Sequence, residues 1–201
     1  MKTYKQKKVF LFVDGTNLYG GQYELFGNDL YLHFSTFISH IEKSLKREFG
    51  KIYFYASYSP QPKKPSQKQK NYLKNEALFY RSVKEAKRVE FFKGYRSPTS
   101  GKEKEVDVKL TADLVHMAHT GDYDEVFLMT GDADFLQALL IIHSITKKVN
   151  ILCLENTIMY KGIYRFPTYI IRLSEKDGRY RKTSLVSEIF LDKEEVCKKL
   201  I

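Results

Sequence analysis

Cysteine is scarce in this chain, with only Cys153 and Cys197 among 201 residues. They stand far apart, which excludes a disulfide framework and leaves no cysteine set with zinc-ligand spacing. Cys153 falls in an apolar run and reads as a small buried hydrophobe. A reducing cytoplasm is therefore the expected location. Long hydrophobic runs are also missing: none approaches the roughly 18 residues a membrane-spanning helix needs, so no membrane partner is expected. The basic opening MKTYKQKK leads into an apolar run too short for a secretion signal, and that run ends in Asp14. There is no serine or cysteine nucleophile motif and no phosphate-cradling glycine loop. No internal repeat or linker divides the chain, and its length suits one well-buried core.

What remains is an ordinary globular composition, 43% hydrophobic and 29% charged, with one strong bias. The net charge is +10 and the pI about 9.4. Lysines crowd 2–8, 63–74, 84–88 and 102–104, and cations recur at 172–182. A surface of this kind favours a polyanion, above all nucleic acid.

The periodicity predicts alternating strands and helices. Apolar runs at 8–13, 52–56, 89–92, 125–129 and 149–154 read as buried strands, and 168–173 as one more. Helical spacing predicts helices at 33–49, with Gly50 as its stop, at 71–87, from Asp107 to Gly121, and at 135–146. In the second of these, Leu73, Ala77, Leu78 and Val83 are expected to face inward. Residues 59–70, with three prolines and four lysines, read as an exposed loop, and 94–105 as another. The end of the chain is charged, with a weak helical signal at 185–191. Alternation of this kind gives βαβ units, right-handed crossovers and a parallel sheet, an α/β fold.

Four aspartates fall where predicted strands give way to loops or helices. Asp14 ends the first strand in FVDGTN, Asp107 opens the helix VDVKLTADLV, and Asp132 and Asp134 follow a strand in TGDADF. Carboxylates gathered at one sheet edge repel unless cations offset them, so the pattern reads as a divalent-metal site. Gly15 is expected to allow a sharp turn after the strand. Asn17 could point its amide at the same place. Simple capping is the plain alternative for Asp14, Asn17, Asp107 and Asp134, and less so for Asp132, expected to be buried beside Asp14. Asp113 lies about 120° round its helix from Asp107. His116 and His119 are spaced i and i+3 but lack a third zinc ligand.

Together, FVDGTN, VDVKLTADLV and TGDADF resemble the NYN family of PIN-like nuclease domains, the branch typified by LabA-like proteins, over about residues 8 to 155. The resemblance implies a three-layer α/β/α PIN-like (Rossmann-like) fold whose mainly parallel sheet has order 3-2-1-4-5. The chain as a whole reads as one domain over 1–173 with a partly helical extension over 174–201, and that tail falls outside the resemblance. The resemblance maps Mg²⁺ or Mn²⁺ ligands onto Asp14, Asp107, Asp132 and Asp134, with Asn17 as polar companion and Asp113 as a supporting acid. Thr130 stands where relatives often have serine. The implied activity is metal-assisted hydrolysis of RNA, with water attacking in line to leave a 5′-phosphate and a 3′-hydroxyl. Lys63, Lys64, Lys68, Lys102 and Lys104 are expected to grip the backbone, and exposed rings such as Tyr58 or Tyr95 to stack bases of a single strand. Two other readings stand beside it: an RNA-binding regulatory module with little turnover, and a haloacid-dehalogenase-like phosphatase built on Asp14-Gly15-Thr16. The latter wants an acid where Thr16 stands. The oligomeric state, a homodimer included, is left open.

Overall fold

The computed structural model describes residues 7–96, 103–145, 147–157, 165–173 and 183–200. The chain opens with β1 (Val9–Asp14), α1 (Gly15–Phe26), β2 (Leu30–Leu32) and α2 (Phe34–Leu45), then β3 (Lys51–Ala56), α3 (Gln67–Glu85) and β4 (Val89–Lys93). A small antiparallel pair, β5 (Tyr95–Arg96) and β6 (Glu103–Lys104), leads into α4 (Val106–Thr120). Next come β7 (Glu125–Met129), a 3₁₀ turn (Ala133–Phe135), α5 (Leu136–Ser144), β8 (Lys148–Leu154) and β9 (Thr168–Arg172). The end of the described chain forms β10 (Val186–Phe190), one turn of helix α6 (Lys193–Val196) and β11 (Cys197–Lys199).

Seven strands make one parallel sheet in the order β10-β9-β8-β7-β1-β3-β4. Its core is the expected 3-2-1-4-5 arrangement, carried two strands further by β9 and β10. Because side chains alternate across a strand, β1 sends Val9, Leu11 and Val13 to one face and Phe10 and Phe12 to the other. The first set packs on α1, α2 and α3 through Leu18, Phe37, Ile41, Phe79 and Val83. The second packs on α4 and α5 through Leu110, Leu114, Leu139 and Ile142. Both faces are thus covered, which is why the strands read as continuous apolar runs. Fully buried rings such as Phe12, Phe54 and Phe127 contribute roughly 1.5–3 kcal/mol each.

Several expected boundaries move. The helix expected over 33–49 ends at Leu45, stopped by Lys46 in the left-handed region (φ 51°) and not by Gly50. α3 begins at Gln67, four residues early, because Ser66 and Gln69 form a reciprocal capping box. Lys68 therefore sits on a helix, outside the loop assigned to it. Its buried face is also rotated: Asn75, Glu76, Phe79, Tyr80, Ser82 and Val83 point inward, while Ala77 is exposed. The segment 185–191 is not helical. Ile189 and Leu191 face the core, and β10 gains backbone partners from β9, so sheet context overrides a weak local signal. The expected extension thus adds a strand to the main sheet, and β11 pairs with β2.

Candidate active site

From β1 the chain crosses to β3 and β4 on one side, then returns past β1 to β7 on the other. The strand order reverses at the β1–β7 junction, and open α/β sheets hold their ligands outside such a junction. Val13 pairs with Met129 across it. Asp14 and Thr130 are therefore the next residues along, at the carboxyl ends of the two strands.

Asp14 is buried, only 5% exposed. One carboxylate oxygen caps α1 by accepting the Asn17 backbone N–H at 3.0 Å. The other accepts the Thr130 hydroxyl at 3.0 Å. Thr130 Oγ1 in turn accepts the Asp132 N–H at 3.0 Å, and Asp132 Oδ1 accepts the Asp134 N–H at 2.9 Å. A second tie crosses the junction where the Gly131 N–H donates to Asn17 Oδ1 at 2.9 Å. Asp14 thus caps α1, as the plain alternative had it, and its carboxylate also faces the junction. The capping roles in TGDADF are reversed, since Asp132 caps the 3₁₀ turn and Asp134 is the residue capped. Asp132 is half-exposed, not buried as expected, because the turn lifts it past the strand end.

Two glycines are required for space. Gly15 begins α1 with no positive φ, so it is not the sharp-turn residue expected. A Cβ there would lie 2.2 Å from the Phe54 ring and 2.9 Å from the Tyr55 carbonyl oxygen. At Gly131 a Cβ would lie 1.5 Å from the Thr157 carbonyl oxygen. The turn after β8 lies directly against TGDADF, and Asn156 Nδ2 fastens it to the Gly21 carbonyl oxygen (2.9 Å) and to Glu24 (3.1 Å) in α1.

Sequence reasoning missed Tyr55, the residue opposite Asp14 in register on β3. Its ring stacks on Phe12 at 6.2 Å, and its hydroxyl donates to Asp113 Oδ2 at 2.9 Å. Burial raises the Tyr55 phenol well above its usual range, and the bond to Asp113 adds to the shift, so it stays protonated as a donor. Lys109 Nζ meets Asp113 Oδ1 at 2.5 Å. Asp113 therefore ties α4 to β3. The one available signal for Tyr55 was its place near the end of a predicted strand.

Asp107 stands exposed in the first turn of α4. As the crossover between parallel strands, α4 runs back along the sheet, so its first turn lies toward the edge that carries Asp14. His116 and His119 are exposed further along that helix. Lys63, Lys64 and Lys68 are exposed. Lys102 and the Lys104 side chain lie outside the described residues. Among the described residues, no three carboxylate, imidazole or thiol groups converge on one point. The donors at the junction are all hard oxygens: the Asp14 and Asp132 carboxylates, the Asn17 amide and the Thr130 hydroxyl, with Asp134 exposed just beyond. Asp132 Oδ2 carries no hydrogen bond among the described residues. That set fits Mg²⁺ or Mn²⁺, which settle for one or two carboxylates and keep their waters, better than zinc.

A parallel α/β sheet with a buried aspartate at its switch point is compatible with a PIN-like domain. The chain belongs to the NYN domain family, whose model matches residues 8–165, somewhat beyond the stretch legible by eye. NYN domains are PIN-like nuclease domains. A crystal structure of a protein of unknown function from Vibrio parahaemolyticus shares the fold, with a TM-score of 0.62 and 21% identity over 87% of this chain and 98% of that one. No curated protein matches the chain. Among the described residues no helix is long and apolar enough to cross a membrane.

Proposed function

We propose that this chain hydrolyses phosphodiester bonds of RNA at the β1–β7 junction. The supporting observation is the hydrogen-bonded line Asp14–Thr130–Asp132, which joins the buried Asp14 carboxylate through the Thr130 hydroxyl to the backbone N–H of half-exposed Asp132 across the switch point. Asp14 and Asp132 would hold the ion, with Asp134 and Asp107 completing the acidic surround and water and substrate oxygens filling the remaining positions. The ion, Mg²⁺ or Mn²⁺, would supply charge for the phosphate and acidify water.

The protein's own contribution is placement. Asn17 N–H and Thr130 Oγ1 fix both Asp14 oxygens, and the Asp134 N–H fixes one Asp132 oxygen. Acceptor capacity remains on the Asp132 carboxylate for a ligand. Lys63 and Lys64 draw the anionic backbone toward this edge without reading sequence. Asp113 holds α4 against β3 by accepting the Tyr55 hydroxyl.

A second reading, an RNA-binding module with slow turnover, draws on the absence of a three-acid cluster among the described residues. One experiment separates them: labelled RNA and single-stranded DNA are incubated with Mg²⁺, Mn²⁺ or EDTA, and the product ends are identified. Metal-dependent cutting of RNA that disappears in Asp14→Asn supports hydrolysis. Tight binding with no cutting in Mn²⁺ supports the module.

A further inference from the structure

Residues 63–88 contain nine lysines and arginines and two glutamates, a surplus of seven in a chain whose whole surplus is ten. Most of that span is α3. One of its two acids, Glu76, is buried and accepts the Ser59 N–H at 3.0 Å and the Ser59 hydroxyl at 2.7 Å. The other, Glu85, is the last residue of the helix. The outward face of α3 is left to cations.

Those cations fall in a line. At 100° per residue, Lys70, Lys74, Arg81 and Lys84 lie within about 80° of arc, and all four are exposed. They cover about 21 Å of helix at 1.5 Å per residue. Lys68, about 160° round from Lys70, lies off this line. Lys84 is steadied by the Tyr58 hydroxyl at 2.9 Å and by the Phe91 ring at 4.8 Å. As the crossover between parallel β3 and β4, α3 starts at the carboxyl edge of the sheet, where Asp14 lies, and runs back across the molecule. Lys63 and Lys64 stand just before its start.

We propose that this face of α3 is a track for the RNA backbone, leading to the junction and read by charge alone; this rests on the RNA reading above. A length of about 21 Å lets the four cations meet successive phosphates of a single strand. No aromatic side chain lies on the line, so the track carries no base readout. An anionic membrane surface fits less well. The apolar residues of α3, Phe79, Tyr80 and Val83, are buried in the core and offer nothing to insert.

The test is binding of labelled single-stranded RNA in EDTA, followed by anisotropy from about 50 to 200 mM KCl. The triple variant Lys70→Gln, Lys74→Gln, Arg81→Gln is expected to weaken affinity and to flatten the log–log salt slope by about two, at roughly 0.7 per lost phosphate contact. Removing the same charge at Lys43, Lys193 and Lys199 is expected to leave the slope unchanged. Circular dichroism verifies that each variant is folded. Equal slopes for wild type and the α3 triple variant overturn the track, as does wild-type binding to phosphatidylserine vesicles but not to RNA. Because binding is read without metal, a chain that loses RNA with the triple variant yet never cuts RNA in Mn²⁺ keeps the track and loses the hydrolysis reading.

Discussion

The Thr130 hydroxyl donates to the Asp14 carboxylate at 3.0 Å across 116 residues of sequence. One small side chain thereby joins the ends of β1 and β7 and, by accepting the Asp132 N–H, sets where the second acid stands.

Replacing Thr130 with Val keeps the shape and removes both bonds. Leaving buried polar groups unmatched costs about 1–3 kcal/mol. Urea unfolding of Thr130→Val should show that loss, together with reduced RNA cleavage. Thr130→Ser should restore most of both. A Val variant as stable and active as wild type removes the hydroxyl from the account.

Asp14→Asn keeps an oxygen for the Asn17 N–H but removes the charge. If Asp14 provides several kcal/mol of charge stabilisation through the ion, cleavage should fall at least about 100-fold. The melting temperature should change little. Initial rates in Mn²⁺, with a thermal melt of the same sample, check this; unchanged cleavage moves the site elsewhere.

Gly131→Ala must displace the Thr157 backbone, since the new Cβ would lie 1.5 Å from its carbonyl oxygen. A clear fall in melting temperature and activity is expected. Gly20→Ala makes the contrast: nothing lies within 4 Å of a Cβ there. As a mid-helix glycine, it should gain roughly 0.5–1 kcal/mol. Equal melting shifts for the two would contradict this packing.

His33 gives a pH dependence with a definite sign. Burial, and then Lys198, lower its pKa below the usual value, with Glu85 opposing. The unfolded chain therefore takes up the proton first as pH falls. The contribution is full above about pH 6.5 and is lost as pH drops through that range. Urea midpoints at about pH 7.5 and 5.5 should differ less for His33→Gln than for wild type. An equal or larger difference in the variant contradicts the assignment.

Burial holds both thiols far from reactivity, with Cys153 and Cys197 each pushed up to about 12. Alkylation by iodoacetamide near neutral pH should be slow in the native protein and fast in urea. Rapid native labelling of Cys153 would show that β8 opens readily.

The strand ends were legible because both sheet faces are covered, which turns each parallel strand into a short apolar run closed by a polar residue, as at Asp14. The 3-2-1-4-5 core and the family followed from three motifs at those ends. Failures came where a partner distant in sequence decides. Gly15 looked like a turn glycine, yet Phe54 excludes a side chain there, and the Thr157 backbone does the same at Gly131. Tyr55 resembled any strand aromatic, and only its register opposite Asp14 gives it meaning. The 185–191 segment carries no strong period of its own and takes its form from β9. Asp132 and Asp134 exchanged roles because a 3₁₀ turn precedes α5, a distinction of one residue that spacing does not encode.

The turn after β8 presses on Gly131 while Asn156 anchors it to α1, the helix that Asp14 caps. Three segments remote in sequence are thereby locked into one rigid corner. Neither Asp14 nor Asp132 can swing without disturbing a helical turn, so on the proposed reading the corner is preset and any accommodation falls to the substrate.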